Sequence, residues 1–159
     1  MKKILELLER NACLTPEQIA VMLGRDPDAV REQIKSFEKE NVIVGYKTIV
    51  NWEKTENEPV TAMIELRVTP QRGEGFDEVA KRIYQYEEVS SVYLMSGGYD
   101  LAVMLEGKSM KEVAMFVAEK LAPMEQVIST ATHFVLKKYK IDGNIVNDKL
   151  EDTREVISL

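Results

Sequence analysis

The sequence predicts an α+β protein built in two segments, and two observations carry that reading. Apolar residues recur at helical spacing up to about residue 43, whereas from residue 60 onward they alternate or run together as strands do. Turn and cap residues then divide the second segment into strand, helix, strand, strand, helix and strand. With 159 residues the chain can form one compact domain or two small ones, and 45% hydrophobic content is that of an ordinary globular protein.

In the first segment, Ile4, Leu5 and Leu8 share one face of a short helix. The stretch LTPEQIAVML starts a second, with Thr15 as N-cap, Pro16 at the first helical position and Gln18 completing a capping box; Gly24 ends it. Asp26-Pro27 repeats the cap signal, after which Val30, Ile34 and Phe37 follow at i, i+4 and i+7. Helix, tight glycine-containing turn and helix is the helix-turn-helix pattern. Residues 1–50 are therefore expected to form a winged-helix-like helix-turn-helix domain, closed by the extended run NVIVGYKTIVNW.

The polar stretch EKTENEP reads as the end of a linker, 51–59, and a second domain is expected over 60–140. Its first strand alternates Val60, Ala62, Ile64, Leu66 and Val68 with Thr61, Met63, Glu65 and Arg67. A helix from about Phe76 places Val79, Ala80 and Ile83 on one face. In SVYLMSGGYDLAVMLEG two strands meet at Gly97-Gly98, which can supply the positive φ angles of a two-residue hairpin turn. Ser109 and Glu112 then form a capping box for a helix with Met110, Val113, Ala114, Val117 and Leu121 inward, and VISTATHFVLKK is the last strand. The order βαββαβ is the split, ferredoxin-like arrangement. Residues 141–159 form an acidic, weakly periodic tail, either mobile or docked as a short helix.

Helices in that arrangement cover one face of the sheet. The other carries Met63 or Ala62, and Met104 or Val103, depending on parity, so a homodimer is expected to cover it. The formal net charge is −6, yet residues 1–50 hold eight Lys/Arg and eight Asp/Glu, so the acidic excess lies wholly in the second segment. Such asymmetry suggests different partners for the two. A single cysteine, Cys13, cannot close an internal disulfide, and a single histidine, His133, leaves no Cys/His zinc cluster; no metal or cofactor is expected. Glu6 and Glu9 break what would be the apolar core of a signal peptide, so the expected setting is the cytoplasm, with no membrane association. No residue set suggests catalysis.

If Val30, Ile34 and Phe37 turn inward, the third helix exposes Asp28, Arg31, Glu32, Lys35, Ser36 and Lys39. Arg31 and Lys35, with Ser36 and Lys39 on the same face, are the candidates for contact with double-stranded DNA, because cationic donors gain from both guanine acceptors and phosphates. Asp28 and Glu32 oppose them, and a mixed-charge face of this kind is also what a solvated helix presents. Asp100 poses a second question, since a carboxylate is unfavourable one residue from an apolar strand. Either it caps the glycine turn through local backbone, or it binds something: glycines expose N–H groups to a ligand carboxylate, and Asp100 could pair with an ammonium group.

The helix-turn-helix, the βαββαβ domain, the SGGYD hairpin and STATHFVLKKYK together resemble the Lrp/AsnC family of feast/famine transcriptional regulators, over roughly residues 1 to 140. In that family the C-terminal domain dimerises through its sheets, dimers often assemble into octamers, and a small effector, usually an amino acid, binds between dimers near a Gly-x-x-Asp turn. The resemblance implies an effector site at Gly97, Gly98, Tyr99 and Asp100, with Thr130 and Thr132 as neighbours. Two alternatives remain open: an oligomeric effector-binding protein whose first domain has little DNA affinity, and a siroheme-decarboxylase-like enzyme of related two-domain build, in which His133 would face porphyrin. The last lacks the surrounding His/Arg/Tyr cluster that porphyrin carboxylates require.

Overall fold

The computed structural model describes residues 2–70 and 75–146. It divides between Val50 and Asn51 into two units, each with its own core.

The first unit contains α1 (Lys2–Arg10), α2 (Pro16–Leu23) and α3 (Pro27–Lys39). Ile4, Leu8, Ile19, Ala20, Val30 and Phe37 are buried together, with Ile34 packed at their edge. Both halves of the capping box are present: Thr15 Oγ1 accepts from Gln18 N–H at 3.2 Å, and Gln18 Oε1 accepts from Thr15 N–H at 2.9 Å. Gly24 closes α2 at φ 61°, a left-handed conformation that a Cβ disfavours. Asp26 caps α3 by accepting from Ala29 N–H at 2.8 Å. Within the run expected to be extended, residues 44–50 have no regular secondary structure and form no strand ladder.

The second unit holds β1 (Val60–Val68), α4 (Asp77–Ile83), β2 (Val89–Leu94), β3 (Leu101–Gly107), α5 (Met110–Phe116) and β4 (Val127–Phe134). The sheet order is β2-β3-β1-β4 with every neighbour antiparallel, the ferredoxin-like topology. Parity is settled by the core. Ala62, Ile64 and Leu66 of β1 and Leu101, Val103 and Leu105 of β3 are buried with Val79 and Ile83 of α4 and Val113 and Phe116 of α5. Met63 and Met104, which pair across β1 and β3, therefore lie on the opposite face.

Some expectations change. The hairpin does not turn on two residues: Leu94 pairs with Leu101, Met95 N–H donates to Asp100 O at 2.8 Å, and Ser96–Tyr99 form a four-residue loop. Gly97 takes φ 154°, while Gly98 has no positive φ. In α5 the inward stripe is Val113, Phe116 and Val117, so Ala114 is exposed, as is Met110 in the first turn. The helix continues as a π turn over Val117–Leu121, with Ala122 N–H donating to Val117 O at 2.8 Å. The Ser109 box is half formed: Ser109 Oγ accepts from Glu112 N–H, but Glu112 Oε2 accepts from Lys108 N–H rather than from the cap itself.

The stretch expected as a linker contains a 3₁₀ turn, Trp52–Lys54, and is tied into the second unit. Asn51 Nδ2 donates to Val146 O at 2.8 Å, and Lys138 N–H donates to Glu53 Oε1 at 3.4 Å. The stretch expected as a tail begins with a small hairpin, β5 (Lys140–Ile141) and β6 (Asn144–Ile145), turning at Asp142 and Gly143. The rest of that expected tail, residues 147–159, lies outside the described residues.

Candidate DNA-reading helix and effector loop

On α3 the structure brings the predicted contact residues to one side but engages most of them. The Arg31 guanidinium is held between two carboxylates, with Nη1 donating to Asp28 and Nη2 to Glu17 of α2. Lys35 pairs with Glu32 at 2.8 Å, and Ser36 Oγ donates to Glu40. Lys39 is exposed in the last turn. Asp28 first and then Glu17 push the Arg31 pKa up from its ordinary value. The Glu17 carboxyl is held below the usual carboxylate range by its own backbone N–H, by the Thr15 hydroxyl and by Arg31. Sequence reasoning missed Glu17, whose partner lies fourteen positions away on another helix.

Asp100 is engaged by the fold through one of its two oxygens. Its Oδ2 accepts from Val68 N–H at 2.9 Å, at the place where the β1–β4 register shifts between Arg67 and Val68. That bulge removes the Val68 amide from the regular ladder, and the carboxylate takes it up. Asp100 N–H donates to Leu66 O at 2.9 Å, and Arg67 Nε donates to Gly98 O at 2.9 Å, so the loop is stitched to β1 at three points. The carboxylate thus serves backbone across the sheet, not within its own turn. Among the described residues Oδ1 has no hydrogen-bond partner. Gly97 and Gly98 are exposed, with no atom within 4 Å of a Cβ built on either, whereas Tyr99 and Asp100 are half-buried.

Thr130 and Thr132 are placed differently. They pair with the buried Leu66 and Ile64 and so lie on the helix-covered face, with no hydrogen bond to the loop among the described residues. On the opposite face His133 Nε2 lies 3.2 Å from Glu65 Oε1. Arg67 was overlooked as a loop partner, although the βαββαβ order places the end of β1 beside the start of β3. Among the described residues no group of three His, Cys, Asp or Glu side chains could hold a metal, and no helix is long and apolar enough to cross a membrane.

A helix-turn-helix unit followed by a ligand-type α+β unit defines a DNA-binding transcriptional regulator that responds to a small effector, and comparison with known proteins gives its family. Residues 1–44 match the winged helix-turn-helix DNA-binding family, and residues 61–145 match the Lrp/AsnC ligand binding domain. The chain belongs to the Lrp/AsnC family of transcriptional regulators. It is 50% identical over 157 residues to the uncharacterized HTH-type transcriptional regulator YugG of Bacillus subtilis, covering 98% of this chain and 95% of that protein. Its fold is similar to a transcriptional regulator of Neisseria meningitidis in complex with L-Met, at TM-score 0.71 and 21% identity over 90% of this chain and 92% of that one. It is likewise similar to a feast or famine regulatory protein of M. tuberculosis complexed with L-methionine, at TM-score 0.72 and 18% identity over 92% and 96% of the two chains.

Proposed function

We propose that the chain reads double-stranded DNA through α3 as a symmetric homodimer, assembling further toward octamers, and takes an amino-acid-like effector at the Ser96–Asp100 loop. The observation that carries the effector site is Asp100 Oδ1, which has no hydrogen-bond partner among the described residues, beside two exposed glycines. An ammonium group can approach that oxygen while a ligand carboxylate meets bare backbone. The methionine in two solved relatives of the fold supports this ligand class. The face bearing Met63, Met104 and Ala102 is the surface a second copy would cover, and a two-fold dimer presents paired α3 helices to paired half-sites. An effector that prefers one arrangement of the dimer alters DNA affinity, and DNA alters effector affinity by the same factor. The reading is non-enzymatic, and DNA as partner implies a cytoplasmic setting.

Capture of fragmented genomic DNA by the purified chain, followed by calorimetric titration with a panel of amino acids and sedimentation equilibrium, tests each part. The expected result is enrichment of a few fragments, one responding amino-acid class and a species no smaller than a dimer. A second reading is favoured by the pairing of Arg31 and Lys35 with carboxylates: an effector-binding oligomer with little DNA affinity. Effector binding without enrichment of any fragment would establish it over the first.

A further inference from the structure

We propose that Glu17 is a specificity-determining positioning residue for DNA reading: together with Asp28 it clamps the Arg31 guanidinium, denying it to phosphate and fixing its remaining N–H groups for a base edge. The inference rests on α3 being the reading helix. Guanidinium carries five N–H donors in a planar fork. One on each terminal nitrogen is committed here, to Asp28 and to Glu17, which leaves three. The cluster of one cation and two anions has a net charge of −1, so it neutralises no phosphate.

That distinction separates two kinds of binding. Sequence-independent affinity comes from Lys and Arg neutralising phosphates, and each such contact steepens the fall of log K with log salt by about 0.9. Base reading instead needs a fork held in a fixed plane against guanine O6 and N7. Lys35 and Glu32 pair within one helix, and a flexible ammonium gains little orientation from that. Glu17 reaches Arg31 from α2, across the turn, and so restricts where the side chain points. Glu17 is itself set by the first turn of α2, beside the capping Thr15.

The test compares the full-length chain with Glu17→Gln, Arg31→Ala and the double variant. Duplexes are selected from a random-sequence pool by the wild type, and binding to a selected and to an unrelated duplex is measured across salt concentrations. Glu17→Gln leaves Arg31 held by Asp28 alone and brings the cluster from net negative to neutral, so the salt slope on unrelated DNA should steepen, by no more than the roughly 0.9 of one fully freed cation. Preference for the selected duplex should fall roughly tenfold, within the range of one lost bidentate base contact. In the Arg31→Ala background the same substitution should change neither quantity. Unchanged preference in Glu17→Gln overturns the proposal, as does an equal change in both backgrounds, which would mark a general charge effect. A wild type that selects no duplex removes the DNA reading itself, and the proposal with it. If Glu17→Gln melts lower than wild type, Asp28→Asn removes the other carboxylate and is held to the same outcomes.

Discussion

Replacing Asp100 separates its structural role from the proposed ligand-anchoring one, because among the described residues one carboxylate oxygen accepts a hydrogen bond and the other does not. In Asp100→Ala the Val68 N–H loses its acceptor, and Val68 is only 3% exposed, so water has little access to the orphaned donor. A hydrogen bond to a charged acceptor contributes about 1.5–3 kcal/mol, and half-burial of Asp100 argues for about 2. For a unit of this size that is a fall in Tm of roughly 8 °C, with no effector present. Asp100→Asn keeps an oxygen facing Val68 and should lose less than half as much. It removes the charge, however, and losing one partner of a partly desolvated ion pair costs about 2–5 kcal/mol of binding, so effector affinity should fall at least tenfold. Thermal melts of the three proteins and calorimetric titration against amino acids read both effects. An Asp100→Ala protein that melts with the wild type refutes the structural role; an Asp100→Asn protein with undiminished affinity refutes the anchor.

Arg31→Ala should reduce discrimination between the selected and unrelated duplexes by roughly 5- to 150-fold, whereas Lys35→Ala should weaken both about equally; a gel-shift titration that shows neither change removes α3 from the reading role. A fragment of residues 51–159 should sediment as a dimer or larger at micromolar concentration, since the candidate face belongs wholly to the second unit. A monomeric fragment would move the dimer contact elsewhere.

Most elements were legible because their determinants are local. Thr15 with Gln18, Asp26 with Pro27, and Gly24 at its left-handed angle specify helix ends within a few residues. Strand alternation specified β1 but not its facing, since parity depends on which row meets α4 and α5. What sequence did not yield was long-range: the Arg31–Glu17 pair, the Asp100–Val68 bond and the tie from Asn51 to Val146 join residues whose proximity is a product of the fold. The π turn after α5 was hidden for another reason, because Val117 and Leu121 fit an ordinary helical stripe equally well.

The stitching of the Ser96–Tyr99 loop to β1 also bears on how readily a ligand could be received there. β1 is an inner strand, paired to β3 on one side and β4 on the other. A loop fastened to an inner strand has lost much of its conformational freedom at folding, not at binding. Ligand association then orders few further residues, and a rigid receiving surface of this kind loses less affinity to entropy than a free loop of the same sequence.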